Sequence, residues 1–209
     1  MDSSGLRKFV APEFVYGASS RFLVGNYVRK LGVEKIMVVS DPGVVEAGWA
    51  GDVLDSLQEA GISWELFDRV QPNPREGQVM LGADVFKSSG CEAIVAVGGG
   101  SPMDCAKGIG IVVANDQHIL DFEGVDNVNV FPPPLVCIPT TAGSAADVSQ
   151  FAIITDSGRK VKISIVSKAL VPDLALIDPE TTLTMDSELT AATAMDALTH
   201  AIEAYVSSA

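Results

Sequence analysis

The sequence is poor in basic residues and in cysteine, and it has no apolar run long enough to cross a bilayer. Its 209 residues contain 14 Lys and Arg against 27 Asp and Glu, a formal net charge of −13 at pH 7. This balance argues against a nucleic-acid partner, because phosphate backbones are bound by basic surfaces. The longest apolar runs, such as residues 93–97, fall far short of the roughly 20 residues that span a membrane. We therefore expect neither nucleic acid nor a membrane as a partner.

Cysteine usage and the first residues indicate a reducing compartment. Cys91, Cys105 and Cys137 are odd in number, show no CxxC spacing and lie within or beside apolar segments. Buried free thiols are the simplest interpretation. Residues 1–5 lack the cationic and apolar regions of a secretory signal. We expect a cytoplasmic protein.

Short β-rich apolar segments alternate with helical patterns over the first 140 residues. The continuous apolar character of residues 93–97 is typical of a parallel strand that is covered on both faces. The alternation predicts an α/β fold, a Rossmann-like doubly wound parallel sheet. The predicted strands are 35–41, 63–70, 93–97 and 135–139, and the predicted helices are roughly 45–60, 75–89 and 102–114.

The pattern changes after Thr141. Three additional strands, 151–155, 161–166 and 174–177, follow without intervening helices, and helix formers run almost unbroken from Ser187, a plausible N-cap. We place a domain boundary between an α/β domain at 1–185 and the first helix of a helical domain at 186–209. About 23 residues are too few for a second core, so we expect the chain to be truncated just as an all-helical domain begins.

A glycine loop, Gly98-Gly99-Gly100-Ser101-Pro102, joins a predicted buried strand to a helix. Glycine lets the backbone approach a ligand closely, Ser101 can cap the helix, and Pro102 suits its first position. Exposed N–H groups at a helix start form an anion site suited to a pyrophosphate. The GxGxxG fingerprint is absent, and a tight turn without a ligand is the alternative.

Two further polar positions follow predicted strands. Asp41 lies at a strand end, where ligands of open α/β sheets collect. Its carboxylate could bind an adenosine ribose and repel a 2′-phosphate, which favours NAD over NADP; an ordinary turn aspartate is the alternative. The segment 140–144 offers hydroxyls after another strand, or is simply a polar loop. Lys162 could meet a phosphate or point to solvent.

Asp196 and His200 lie four residues apart in a helical context, so their side chains share one helix face. A carboxylate and an imidazole so placed can bind one divalent cation. Two ligands are few, and His118 is the only other histidine. A hydrogen-bonded pair on a helix surface is the alternative.

These segments together resemble the iron-containing (group III) alcohol dehydrogenase family. Residues 98–104 resemble its GGGSxxD loop and residues 138–144 its IPTTAGT segment. Residues 196–203 match its DALTHAIE helix, and residues 72–74 fit its PNP loop. The resemblance covers essentially the whole chain in the same order.

The resemblance implies an NAD(P)-binding α/β domain, an all-helical domain, and a divalent iron between them. Residues 145–147 depart from the family's Gly-Ser-Glu, and the family's two later histidine ligands would lie beyond Ala209. The implied metal ligands are Asp196 and His200. The implied cofactor-binding residues are Asp41, Asn73, Gly99, Gly100, Ser101, Asp104, Thr140, Thr141, Ser149 and Lys162.

The implied activity is NAD- and Fe²⁺-dependent hydride transfer between primary alcohols or small diols and their aldehydes, this chain being the cofactor-binding portion. We expect it not to turn over substrate alone and the protein to form a homodimer or higher homo-oligomer. A non-catalytic nucleotide-binding module is an alternative. A relative similar to glycerol dehydrogenase or dehydroquinate synthase is another, although the residues at 138–144 and 196–203 favour the alcohol dehydrogenase branch.

Overall fold

A computed structural model describes residues 10–207. Residues 1–9 and 208–209 lie outside the described residues. They include residues 1–5, which were predicted not to form a secretory signal, and the outer ends of the two predicted domains.

Nine strands and six α-helices follow one another along the described chain, with short 3₁₀ turns between some of them. In order, they are β1 (Glu13–Tyr16), α1 (Val24–Lys30), β2 (Lys35–Val39), α2 (Pro42–Glu46), α3 (Trp49–Glu59), β3 (Ser63–Phe67), α4 (Glu76–Ser89), β4 (Ala93–Gly98), α5 (Gly100–Asn115), β5 (Gly124–Val125), β6 (Leu135–Pro139), β7 (Phe151–Asp156), β8 (Val161–Val166), β9 (Leu174–Ile177) and α6 (Ser187–Val206).

Six strands form one parallel sheet in the order β1-β9-β6-β4-β2-β3. The predicted doubly wound α/β fold is therefore confirmed, and β9, predicted only as an additional strand, belongs to this main sheet. A second, three-stranded sheet has the order β5-β8-β7, in which β7 and β8 form an antiparallel pair.

The two faces of the main sheet are buried by different helices. Because side chains alternate along a strand, Met37 and Val39 join one apolar core with α4 and α5. Ile36 and Val38 point the other way and join a second core with α1 and α3. The burial of both faces explains why these strands are apolar throughout. Polar residues follow at their carboxyl ends, such as Ser40 and Asp41 after β2.

Three predicted helix boundaries were wrong. The helix predicted over 45–60 is two helices, because Gly48 has a left-handed φ of 88° between them. Helix α5 begins at Gly100 with Gly99 as its N-cap, so Ser101 is not the cap and Pro102 is not the first helical residue. Helix α6 is capped by Asp186 rather than Ser187, since the Asp186 side chain accepts a hydrogen bond from the Leu189 N–H at 2.7 Å.

The three cysteines are free and buried, as predicted. Over residues 10–207, none of the helices combines the length and the apolar character that crossing a membrane requires.

Candidate functional site

The carboxyl ends of β2 and β4 form the point at which the strand order reverses. From β2 the chain passes through α2 and α3 to β3 on one side, and from β4 it passes through α5 towards β6 on the other. Ligands of open α/β sheets bind in the crevice at such a switch point. Asp41 follows β2 here, and the glycine loop follows β4.

The glycine loop brings the chain sharply from β4 into α5. Gly98 has a φ of 149°, and a Cβ there would lie 2.6 Å from Cγ of Pro102. The N-cap, Gly99, has no side chain, so no side-chain cap covers the first N–H groups of this 16-residue helix. Free N–H groups at the positive end of a helix are suited to a phosphate.

Asp41 does not simply sit in a turn. Its Oδ1 caps α2 by accepting a hydrogen bond from the Val44 N–H at 3.0 Å. Its Oδ2 is directed towards Gly98, since it would lie 3.4 Å from a Cβ at that glycine. Both the turn role and a position beside the glycine loop are therefore present in one side chain.

The loop at residues 72–74 is fastened to its neighbours by backbone hydrogen bonds. The Asn73 N–H donates to Oγ of Ser101 at 3.2 Å, and the Thr155 N–H donates to the Pro74 carbonyl at 2.8 Å. Asn73 itself adopts a left-handed φ of 57°. These contacts fix Asn73 between the glycine loop and the hairpin of β7 and β8.

All twelve residues proposed from the sequence line two adjoining cavities. The first encloses about 620 Å³ at the switch point and the second about 980 Å³ towards α6. Gly100, Ser101, Ser144 and Asp196 line both, so the two cavities form one cleft. The first holds Asp41, Gly99, Thr140 and Thr141, and the second holds Asn73, Asp104, Ser149, Lys162 and His200.

Asp104 lies on the wall of the second cavity. Burial raises the pKa of its carboxyl to about 6, although Lys107, the Ile153 backbone and Lys162 lower it. An acid with such a pKa can exchange its proton near neutral pH.

Lys107 supports the same wall from within the protein and was missed in the sequence. Its ammonium donates to the Ser149 carbonyl at 2.8 Å, to Oγ of Ser149 at 3.2 Å and to the Phe151 carbonyl at 3.0 Å. Burial lowers its pKa, while Cys137, Asp104 and Asp147 raise it. Three acceptors match the three donors of a charged ammonium. A lysine among the apolar residues of α5 was the available signal, because lysine is rarely buried unless it is paired.

Trp49 and Thr184 also line the first cavity and were missed. The indole Nε1–H of Trp49 donates to Oγ1 of Thr184 at 2.9 Å. This bond links α3 to the segment that enters α6. A tryptophan at the start of a helix carries no sequence pattern that would have indicated it.

The Asp196 and His200 side chains lie together on α6, with Nε2 of His200 3.7 Å from Oδ1 of Asp196. Both are about half exposed, at 46% and 50%. Among residues 10–207, no third His, Cys, Asp or Glu joins them to make a metal-binding group. His118 serves elsewhere, where its Nδ1 accepts a hydrogen bond from the Leu120 N–H at 3.3 Å.

Comparison with known proteins gives consistent matches. The family model described as iron-containing alcohol dehydrogenase matches residues 11–179. The NAD-dependent methanol dehydrogenase of Bacillus methanolicus is 41% identical over 198 residues, covering 95% of this chain and 52% of that protein. The 1,3-propanediol dehydrogenase of Citrobacter freundii is 41% identical over 194 residues, with 92% and 50% covered.

Solved structures agree with these matches. The structure of a 1,3-propanediol oxidoreductase superimposes with a TM-score of 0.94 at 39% identity, covering 97% of this chain and 53% of that one. The sulfoacetaldehyde reductase of Bifidobacterium kashiwanohense, solved in complex with NAD⁺, gives a TM-score of 0.85 at 29% identity, with 96% and 53% covered. The chain thus spans about half the length of the relatives it matches. With a family model matched over most of its length and the same fold in solved relatives, this chain belongs to the iron-containing alcohol dehydrogenase family.

Proposed function

We propose that this chain is the cofactor-binding part of an NAD- and iron-dependent oxidoreductase that interconverts primary alcohols or small diols and their aldehydes. One observation carries the proposal: a single cleft joins a glycine loop with uncapped helix N–H groups to a carboxylate–imidazole pair. Hydride transfer needs a dinucleotide and a group that polarises the substrate oxygen in one space. Relatives described as NAD-dependent methanol and 1,3-propanediol dehydrogenases support the substrate class.

The dinucleotide would lie along the switch point. Its pyrophosphate would accept hydrogen bonds from the backbone of Gly99, Gly100 and Ser101, whose amides lack a side-chain cap in the described chain. Asp41 would accept hydrogen bonds from the hydroxyls of the adenosine ribose, and its charge would repel the 2′-phosphate of NADP. Thr140 and Thr141 would contact the same end of the cofactor.

The nicotinamide half would lie in the second cavity. Asn73, Asp104 and Ser149 line it, and the exposed ammonium of Lys162 can meet a ribose or phosphate oxygen. Lys107 would keep the Ser149 segment in place from behind through its three hydrogen bonds.

Asp196 and His200 fit part of an iron site. A carboxylate and an imidazole are donors that divalent iron accepts, and both side chains reach the cleft from one helix face. A bound divalent metal would supply Lewis-acid polarisation of the alcohol or carbonyl oxygen. Two donors hold a metal weakly, so further ligands must complete the site.

The decisive assay uses the complete polypeptide encoded by the gene, reconstituted with Fe²⁺ and tested with NAD⁺ and NADH against alcohols and aldehydes. Substitutions H200A and D196A should each abolish turnover, and H118N, which replaces the other histidine by a residue that can still cap, should not. Turnover that survives both ligand substitutions would refute the metal assignment.

Binding by the 209-residue chain itself gives a second test. Calorimetry should detect weak NAD⁺ binding, because the glycine loop and Asp41 lie within the chain, and iron should be lost on dialysis. No heat at millimolar NAD⁺ would count against the cofactor site. Stoichiometric iron after dialysis would count against the incomplete metal site.

A second candidate function is a nucleotide-binding module without catalysis. It is favoured by the absence of a third metal-ligating side chain beside Asp196 and His200 within residues 10–207. The same assay separates the two, since a module binds NAD⁺ but shows no metal-dependent turnover in the complete polypeptide.

Three finer features belong to the proposal. We place the domain boundary between residues 185 and 186, where the N-cap of α6, Asp186, follows Thr184, which is hydrogen-bonded to Trp49 of α3. We place the protein in the cytoplasm on the basis of its buried free thiols. A homodimer or higher homo-oligomer is the expected assembly, which sedimentation of the complete polypeptide tests.

A further inference from the structure

Close contacts at three glycines connect the glycine loop to helix α6. A Cβ at Gly99 would lie 3.2 Å from Oγ1 of Thr141, and one at Gly100 would lie 3.0 Å from Oγ of Ser144. The loop after β6 therefore packs directly on the loop after β4. The third contact, at Gly143 of this same segment, is with α6.

Gly143 is the tightest of the three contacts. A Cβ there would lie 2.6 Å from the carbonyl oxygen of Thr193 and 3.1 Å from its Cα. These are backbone atoms, so no rotation of a side chain could relieve the clash. The helix can come this close only because residue 143 has no side chain.

Helix α6 has little else to fix its position in the described chain. None of its residues is buried, and Thr193 is the one residue of α6 that is partly buried, while the others are exposed. The Thr193 hydroxyl is satisfied within the helix, by the carbonyls of Leu189 at 2.9 Å and Thr190 at 3.2 Å. The contact with Gly143 is therefore van der Waals packing rather than a side-chain hydrogen bond. It determines how close α6 lies to the 141–144 segment.

Thr193 lies three residues before Asp196, on the same face of the helix. Both line the cavity at the switch point. A change in the seating of α6 at Thr193 thus moves the Asp196 carboxylate, and His200 one turn later, relative to the glycine loop.

We propose that Gly143 is a positioning residue that sets the spacing between the dinucleotide loop and the metal-ligand helix, and thereby couples their occupancy. The inference rests on the proposed function. A pyrophosphate that orders residues 99–101 would order the 141–144 segment packed on them, and with it the seat of α6. When two sites share an element that either ligand orders, binding of one ligand raises the affinity for the other.

The test measures coupling rather than activity. In the complete polypeptide, the dissociation constant of ADP-ribose is measured with and without saturating Co²⁺. ADP-ribose carries the pyrophosphate but lacks the nicotinamide ring, so it reports the route through the glycine loop. We expect Co²⁺ to tighten ADP-ribose binding by roughly fivefold or more, and ADP-ribose to tighten Co²⁺ binding by the same factor.

In G143A the coupling factor should fall towards one while the protein remains folded. The matched control is G51A, because Gly51 is exposed in α3 and nothing lies within 4 Å of a Cβ there. G51A should keep the wild-type factor. A folded G143A protein that also keeps it would overturn the inference.

If G143A does not fold, T193G loosens the same contact from the other side, because it removes the Thr193 Cβ, which lies 3.0 Å from the position of a Cβ at residue 143. Glycine in a helix costs roughly 1 kcal/mol, so the matched control is T190G, which carries the same cost at an exposed residue of α6. Coupling that falls no further in T193G than in T190G would overturn the inference. A wild-type protein that binds neither ligand would refute the proposed function and the inference with it, whereas uncoupled binding of both would refute only the inference.

Discussion

The two carboxylate oxygens of Asp41 have different surroundings: one caps a helix and the other faces the glycine loop. Oδ1 accepts the hydrogen bond from the Val44 N–H that caps α2, and Oδ2 is directed towards the glycine loop at Gly98. The capping role needs only a short polar side chain, whereas discrimination against a 2′-phosphate needs the charge. The two roles can therefore be separated by substitution.

We expect D41S to shift cofactor preference towards NADP⁺ without unfolding the protein. Serine is also a good N-cap, so the free energy of unfolding should stay within about 0.5 kcal/mol of wild type. The ratio of NADP⁺ to NAD⁺ affinity should rise by roughly tenfold or more, which corresponds to about 1.4 kcal/mol. Calorimetric titration with both cofactors measures it.

The control for D41S is D41A, which also removes the cap. D41A should cost about 1 kcal/mol of stability in addition to the change in cofactor preference. An unchanged preference in both variants would place the adenosine ribose away from Asp41.

Asp104 should make stability fall as the pH rises. Because burial raises the pKa of its carboxyl from 3.8 to about 6, the folded protein binds this proton more tightly than the unfolded chain does. The contribution of Asp104 to stability is thus neutral below about pH 4, becomes unfavourable as the pH rises from about 4 to 6, and levels off above pH 6 at up to about 3 kcal/mol. D104N keeps an acceptor for the Ile153 backbone and removes the titration.

Urea unfolding of wild type and D104N at pH 4 and pH 7.5 measures this contribution. The difference between the two proteins should be small at pH 4 and should favour D104N at pH 7.5. A difference that does not change with pH would show that Asp104 titrates at its ordinary value. Lys107 and Lys162, the cations that lower this pKa, are present in both proteins.

At the scale of elements, one buried arginine joins parts of the chain that are distant in sequence. Arg21 forms ion pairs with Asp52 of α3 at 2.8 Å and with Asp178 and Glu180, both at 2.7 Å. Its guanidinium also lies 4.9 Å from the ring centre of Trp49. The segment that leads from β9 to α6 is therefore anchored to α3 beside Trp49, which lines the first cavity.

We expect R21M to destabilise the protein by about 3–5 kcal/mol, since it leaves the fully buried Asp178 carboxylate without its partner. Burial raises the pKa of Asp178, but hydrogen bonds from Arg21 and from backbone N–H groups outweigh it and hold the pKa below its ordinary value. In R21M the deficit should shrink below about pH 4, where the carboxylate takes up a proton.

Urea unfolding at pH 7 and pH 3.5 tests this expectation against D116N. That variant breaks the exposed ion pair of Lys87 and Asp116, which should lower stability far less than R21M does, because solvent screens exposed pairs. Equal losses for R21M and D116N would mean that Arg21 is no more than a surface charge.

Strands and most helices of this fold could be predicted from local pattern, whereas their exact ends could not. The apolar run at 93–97 and the glycine after residue 89 are local signals, and the structure agrees with them. The start of α5 was wrong because Gly98 and Gly99 complete the turn before Ser101 is reached, a matter of backbone angles. Strand β1 was missed because its four residues gain their strand character only by pairing with β9.

The site divides in the same way. Position and spacing single out Asp41, the glycine loop and the Asp196–His200 pair, and the structure brings them to one cleft. Their roles were predicted only through the family resemblance. Lys107 and Trp49 could not be assigned, because their partners lie 42 and 135 residues away in sequence. Contacts of that range depend on the tertiary fold.

At the scale of the whole described chain, α6 lies outside both apolar cores. Both apolar cores are built from residues before 177, and α6 buries none of its own side chains. A chain of residues 1–185 should therefore unfold in a single cooperative transition with a free energy within about 1 kcal/mol of the 209-residue chain. Denaturant titration by circular dichroism compares the two.

The shortened chain also separates the two possible effects of an added methyl group at Gly143. In the 209-residue chain, G143A must displace the Thr193 backbone, because a Cβ at residue 143 would lie 2.6 Å from its carbonyl oxygen. In residues 1–185 that backbone is missing, so the same substitution should cost nothing beyond its effect on the loop itself. An equal loss of stability in both chains would mean that Gly143 is needed for the conformation of its own loop. The contact between Gly143 and Thr193 would then not determine the position of α6.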